Sequence, residues 1–359
     1  MSQLDHMIPH NKPCITGEEL RNLRSVMDRK WLVGGPETKK LERTVKKLIG
    51  VKYALAVNSG LSALHLSLIS LGLGKGDQVI IPTYTCVALL NAVNYINAVP
   101  VLVDTVEDSF NIDPEKASEL CSKQTKAIIV PHTFGFPAEI DRILNLNIPV
   151  IEDCAQAIGT KYLSKPVGSF GDISIFSFYA TKVVTTGQGG MMMTNNRRYH
   201  LAASESVHPG IRKSYRIRYN YGMTDTAAAI GNAQFRKLQS FLARRKIIAS
   251  RYQRLLRGKS SVSFSPQVNE TQVNHFRFIL RFHDRDARDA IRKDLEKNKI
   301  TAIPPISQYE LLHRQLRLPA RHFPNAEKLV NTTLSLPIYP CLTDDEIEKI
   351  VRVLDALLT

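Results

Sequence analysis

The sequence predicts an α/β protein: a mostly parallel central sheet covered by helices on both faces, followed by a smaller C-terminal α+β domain. Two observations carry this. From residue 51, short runs apolar on both faces alternate with helical stretches, the pattern of strands buried between helix layers. After about 240 that alternation stops and a long basic helix leads into a different mixture. At 359 residues the chain exceeds the size at which one hydrophobic core keeps growing. The expected division is 1–240, a large domain with an N-terminal helical segment, and 241–359, the small domain.

Residues 17–29 and 36–50 read as amphipathic helices separated by a turn at Gly34-Gly35-Pro36. VKYALAV (51–57) reads as a strand, SALHLSLISLGL (62–73) as a helix and QVIIP (78–82) as a strand. VALLNAVNYI (87–96) is a helix, then VPVLVD (99–104), KAIIVPH (126–132), IPVIED (148–153) and ISIFSF (173–178) are strands. Beyond them lie a basic helix over roughly 232–257 and an exposed-edge strand at NHFRFILRF (274–282). A helix at 286–298, a loop with Pro304 and Pro305, and a last helix at 343–358 complete the chain.

Composition excludes several classes. Hydrophobic residues make up 43% and charged residues 23%, ordinary for a globular protein. No apolar run approaches the roughly 20 residues that span a bilayer. The polar start, MSQLDHMIPHNKP, lacks the apolar core of a secretory signal, so a cytoplasmic location is expected. Cys14, Cys86, Cys121, Cys154 and Cys341 are scattered and lack metal-ligand spacing; free thiols and no metal are expected. The net charge is +15. Between Arg197 and Arg257 fourteen Lys and Arg stand against two acids, Glu205 and Asp225, so this stretch holds +12 of the excess. It is either a solvated basic face or a surface for an anionic substrate or partner. No nucleic-acid motif accompanies it, and no nucleic acid is expected.

In an open parallel sheet the ligand sits beyond the carboxyl ends of the strands. Asp153 ends one candidate strand, and Lys182 lies four residues past another. Pyridoxal phosphate needs this pair: a carboxylate to keep its pyridine nitrogen protonated and a lysine to hold it as a Schiff base. Each residue alone has a plainer reading, since an Asp after a strand commonly caps a helix and a Lys in a Gly-rich loop is commonly solvated.

The surrounding string is more specific. Glu152-Asp153-Cys154-Ala155-Gln156, then Gly171-Asp172, then Phe176-Ser177-Phe178 with Lys182 at fixed spacing resembles the DegT/DnrJ/EryC1/StrS family of nucleotide-sugar aminotransferases. The resemblance runs along nearly the whole chain, through MIPHNKP, WLVGGPETKKLE (31–42), NSGLSALHLSL (58–68), GKGDQVIIPTYT (74–85), VPVLVD, RYNYGMTDTAAAIGNAQ (218–234) and LSLPIYPCLTDDEI (334–347). It implies a fold-type-I aminotransferase with Lys182 as the Schiff-base lysine and Asp153 as the partner of the pyridine nitrogen. Gln156 matches the residue against one face of the ring, and Ser177 a hydroxyl donor to the cofactor phosphate. Asn220 matches a residue supplied by the neighbouring subunit of a homodimer. Gly60 and Leu61 fall at the start of a predicted helix, where free N–H groups and the dipole favour a phosphate.

The chain departs from the family pattern in places. The family's S-G-T reads Ser59-Gly60-Leu61, so a phosphate-binding hydroxyl is missing, with Ser62 as a candidate replacement. Cys86 stands where relatives carry a stacking aromatic ring, with Tyr84 nearby. The family's G-E-G-G reads Gly187-Gln188-Gly189-Gly190. The segment before IPVIED is shorter than the family's.

The resemblance implies a ping-pong transamination from an amino acid, expected to be glutamate, to a nucleotide diphosphate keto-deoxysugar, in the making of amino sugars for cell-surface polysaccharide. Two alternatives stay open. One is a dehydratase on the same fold, although dehydrating relatives replace the lysine by His or add an iron–sulfur cluster. The other is a non-catalytic cofactor-binding regulator.

Overall fold

The computed structural model describes residues 6–207, 215–264 and 271–358. Its centre is a seven-stranded sheet in the spatial order Tyr53–Val57, Gly190–Thr194, Ile173–Ser177, Val150–Asp153, Thr125–Pro131, Gln78–Pro82, Val99–Val103. The five strands from Ile173–Ser177 onward run parallel. The strand Gly190–Thr194 runs antiparallel to both its neighbours, pairing Ala56 with Met191 on one side and Phe176 with Met191 on the other. Sequence reading missed this strand. Its residues, GMMMT, are all buried, but methionine is neither β-branched nor aromatic, so the run lacks the usual strand signal.

Helices cover both faces. Thr16 and Glu19 form a capping box at the start of Gly17–Arg29, which satisfies N–H groups that a helix end leaves orphaned. The helix Pro36–Ile49 has no cap of its own and is capped from a distance. Asp225 accepts from the N–H groups of Gly35 (2.8 Å), Glu37 (3.1 Å) and Thr38 (3.1 Å), and from the Thr38 hydroxyl (2.6 Å). The basic helix expected over 232–257 is two helices, Asp225–Arg236 and Leu238–Leu256, that meet at Lys237.

Leu238–Leu256 bridges two cores. Its Leu238, Phe241 and Leu242 pack with the central sheet, whereas Ile248, Ala249, Tyr252 and Leu256 pack with the C-terminal residues. The division expected at 240 falls within this helix. Its basic residues are partly structural: Arg245 is 1% exposed and donates to the carbonyls of His275, Phe276 and Ile338.

The C-terminal part builds a three-stranded antiparallel sheet in the order Ser263–Phe264, Phe278–Arg281, Thr333–Leu336. The segment expected as an exposed edge therefore supplies the central strand. Its arginines turn inward: the Arg281 guanidinium lies 4.8 Å from the Phe110 ring centre and donates to the Asp108 carbonyl.

The cysteines are not all free thiols as expected. Cys14 and Cys341, 327 residues apart, form a disulfide with Cα atoms 5.6 Å apart, a pairing that the linear spacing conceals. Among the described residues no helix is long and apolar enough to cross a membrane.

Candidate active site

Asp153 and Lys182 face one cavity of about 290 Å³ at the carboxyl ends of the parallel strands. Gly60, Leu61, Cys86, Gln156 and Ser177 line it as well. Of the site residues expected from sequence, only Asn220 is absent from its lining.

Strand alternation separates two adjacent acids. Glu152 turns away from the cavity and accepts from the N–H groups of Gly168, Phe170 and Gly171, each at 2.7 Å. It also meets His132 Nε2 at 3.0 Å. The Ala138 N–H donates to His132 Nδ1, so the ring proton sits on Nε2 and is donated to Glu152. Asp153 faces the cavity and accepts the Ala155 N–H at 2.9 Å through Oδ1. Burial raises the Asp153 carboxyl above its ordinary range, and the Ala155 N–H, Lys182 and His132 oppose that rise.

Lys182 follows the strand Ile173–Ser177 in a loop held at several points. The Thr186 N–H donates to the Phe178 carbonyl (2.9 Å) and the Phe178 N–H to the Gly189 carbonyl (2.8 Å). The Asn11 amide donates to the Thr181 carbonyl at 2.9 Å. Lys182 Nζ lies 5.2 Å from the ring centre of Phe276, which comes from the C-terminal part. Burial lowers the Lys182 ammonium below its ordinary value and Arg277 adds to that, against Asp153 and Cys86.

At another part of the cavity the helix Gly60–Ser70 begins, capped by Ser59 accepting from the Ser62 N–H. The first N–H groups of a helix have no intrahelical partner and favour an anion. Gly60 is packed so closely that an added Cβ would stand 2.9 Å from Ser177 Cβ. Helix end and hydroxyl thus form a cradle that a side chain would fill. Gln156 is fixed, its Oε1 accepting from the Phe134 N–H at 2.8 Å. The buried Asp153 carboxylate, the cradle and Lys182 are the donor set that pyridoxal phosphate requires.

Two compensations considered from sequence do not occur. Ser62 is buried, donates its hydroxyl to Asn58 Oδ1 at 2.6 Å and does not line this cavity. Tyr84 is fully buried, packed against Phe110 and Phe134, and also outside the lining. Cys86 does line the cavity and is exposed.

Asn220 is exposed, and its carbonyl accepts from the Asn58 amide at 3.0 Å. Arg216 pairs with Glu205 at 3.0 Å, and Arg218 donates to the Glu205 carbonyl. Arg212 and Lys213, of the same basic stretch, lie outside the described residues. Sequence reading missed His132 and Phe276. His132 ends a predicted strand as Asp153 does, a signal that was available; Phe276 reaches the site only through the docking of the small sheet.

Known proteins agree with this geometry. The chain is 34% identical over 359 residues to a GDP-perosamine synthase of Caulobacter vibrioides, covering 96% of this chain and 97% of the relative. It is 33% identical over 354 residues to a GDP-perosamine synthase of Escherichia coli O157:H7, covering 95% of each. Its fold superposes with a TM-score of 0.91 on the pyridoxal-phosphate form of a sugar aminotransferase described as putative from Streptococcus pneumoniae, at 26% identity, covering 99% of this chain and 100% of that one. The sequence pattern of the DegT/DnrJ/EryC1/StrS aminotransferases matches residues 13–355. The chain belongs to the DegT/DnrJ/EryC1/StrS aminotransferase family.

Proposed function

We propose that this pyridoxal-phosphate-dependent aminotransferase moves the amino group of glutamate to a keto-deoxysugar carried on a nucleoside diphosphate, for the synthesis of amino sugars of cell-surface polysaccharide. The observation that carries the reading is the convergence of Asp153, Lys182, Ser177 and the Gly60 helix end on one cavity. Bound there, the cofactor supplies an electron sink for the carbon that loses its proton.

The chain's own residues do the rest. The Asp153 carboxylate holds the proton on the pyridine nitrogen. The Gly60 and Leu61 N–H groups and the Ser177 hydroxyl hold the phosphate. Gln156, pinned by the Phe134 N–H, would pack against one face of the ring. Lys182 would hold the cofactor and, once free, would move a proton from the donor Cα to the cofactor carbon in the first half-reaction and from that carbon to the sugar carbon in the second. A lysine can do this only while uncharged, and the lowered ammonium value favours that form.

Asn220 serves the neighbouring subunit of a homodimer. Its exposure, and the exposure of Trp31, Val33 and Ile217, support a face that a second copy covers. The test of the reaction is a screen of keto-sugar nucleotides with isotopically labelled glutamate. GDP-linked sugars come first, because two relatives bear the name GDP-perosamine synthase. Label in the sugar product supports the reading; label released only as ammonia contradicts it.

A further inference from the structure

We propose that Arg277 is a positioning residue that, from across the Phe276 ring, favours the uncharged, proton-accepting form of the free amine of Lys182. This rests on the reading of Lys182 as the cofactor-bearing lysine.

The two cations lie against one ring. Lys182 Nζ is 5.2 Å from the centre of Phe276, and the Arg277 guanidinium is 5.5 Å from the same centre and 5.8 Å from that of Phe134. Arg277 is held there by a neutral group. Its Nη1 donates to His10 Nε2 at 3.0 Å, and His10 also meets the Ser335 hydroxyl at 2.9 Å. Burial, with Arg277 and Arg245 beside it, pushes His10 down to about 3, so the imidazole carries no charge at neutral pH. The Arg277 Nε is buried without a partner, and no carboxylate forms an ion pair with Arg277 among the described residues. Burial lowers Arg277 to about 10, opposed by Tyr84 and Glu310; it stays charged at neutral pH.

A buried guanidinium without an ion pair is costly, and Glu310 offsets its charge only in part. Facing Lys182 from the other elements are Asp153 and Cys86. Asp153 must be ionised to serve the pyridine nitrogen, and that charge would hold Lys182 in its ammonium form. An ordinary lysine is almost wholly protonated at neutral pH. Burial does most to lower Lys182, and Arg277 adds an opposing charge from across the ring, in a medium where such charges act strongly. It touches neither reacting atom and acts through Lys182.

The measurement uses cofactor-free protein and does not depend on turnover. Acetic anhydride labels the uncharged amine, and peptide quantification gives the labelling of Lys182 against pH. In Arg277→Met and Arg277→Gln the midpoint is expected to rise by about one pH unit, while Arg277→Lys, which keeps the charge, retains the wild-type midpoint. A merely structural role would lower thermal stability without moving the midpoint according to charge. An unchanged midpoint in either neutral variant overturns the proposal. If both neutral variants fail to fold, Arg277→His, measured above about pH 8 where an imidazole is uncharged, takes their place, and a wild-type midpoint in it overturns the proposal. Borohydride trapping of the cofactor on wild-type protein separates the two readings. Label on Lys182 with an unmoved midpoint removes only the role of Arg277; label elsewhere removes the assignment of Lys182.

Discussion

Gly60 and Ser177 touch across the mouth of a helix: a Cβ on residue 60 would lie 2.9 Å from Ser177 Cβ. Two kinds of donor meet at this contact, the first N–H groups of the helix and a hydroxyl, and the helix dipole adds to the first. Gly60→Ala is therefore expected to weaken retention of pyridoxal phosphate by roughly tenfold or more, the loss of about one charge-assisted hydrogen bond. Thermal stability without cofactor should fall as well, because the new Cβ forces the helix end and the Ser177 strand apart. Cofactor titration by absorbance checks this. Wild-type affinity in the variant would show that the phosphate binds elsewhere.

Asp153→Asn should keep the fold and lose most activity. An amide cannot hold the pyridine nitrogen protonated, so the carbon acid loses its electron sink. The loss should fall on kcat of both half-reactions by on the order of a hundredfold or more, within the range that general acid–base groups contribute. Steady-state rates with each substrate, beside a circular-dichroism spectrum, check it. Rates like wild type would assign the pyridine partner to another residue.

Much of this site was legible in the sequence because it lies near strand ends, where apolar runs stop at a charged residue. Asp153 after VIE and Lys182 after ISIFSF could be picked out on that rule. What could not be read depends on contacts between distant segments. Asp225 counted as one acid in a basic stretch, yet it caps the helix Pro36–Ile49. Gly190–Thr194 is a central strand built of methionine, and only its pairing partners reveal it. The strand around Arg277 and Arg281 read as an exposed edge, whereas rings from distant segments, Phe134 and Phe110, receive these arginines. Cys14 and Cys341 illustrate the same limit, since no local pattern joins residues 327 apart.

Mixing Lys182→Ala subunits with Asn220→Ala subunits should restore activity. In a heterodimer whose sites each take a lysine from one chain and an asparagine from the other, one site carries neither lesion. Recovery should approach about a quarter of wild type for random pairing of equal amounts, half the subunit pairs being mixed with one intact site each. Activity assays on mixtures, with heterodimers confirmed by mass spectrometry, check this. No recovery despite confirmed heterodimers would place Asn220 within its own subunit's site or outside any site.

Neutralising Arg216 and Arg218 should raise KM for the sugar nucleotide by roughly tenfold, since a charge-assisted bond to phosphate contributes about 1.5–3 kcal/mol. The glutamate half-reaction should be nearly unchanged. Arg216 must leave Glu205 to reach a phosphate, and that exposed pair holds it only weakly. Binding through these charges should also weaken as salt rises. Equal losses in both half-reactions would make these arginines structural; no change in either would make the basic segment irrelevant to substrate.

The most direct test of the account is where the cofactor attaches. Purified holoenzyme is treated with borohydride, digested and mapped by mass spectrometry. The account predicts a pyridoxyl group on Lys182, with no label in Lys182→Ala. A pyridoxyl group on any other lysine, or on none, would contradict it.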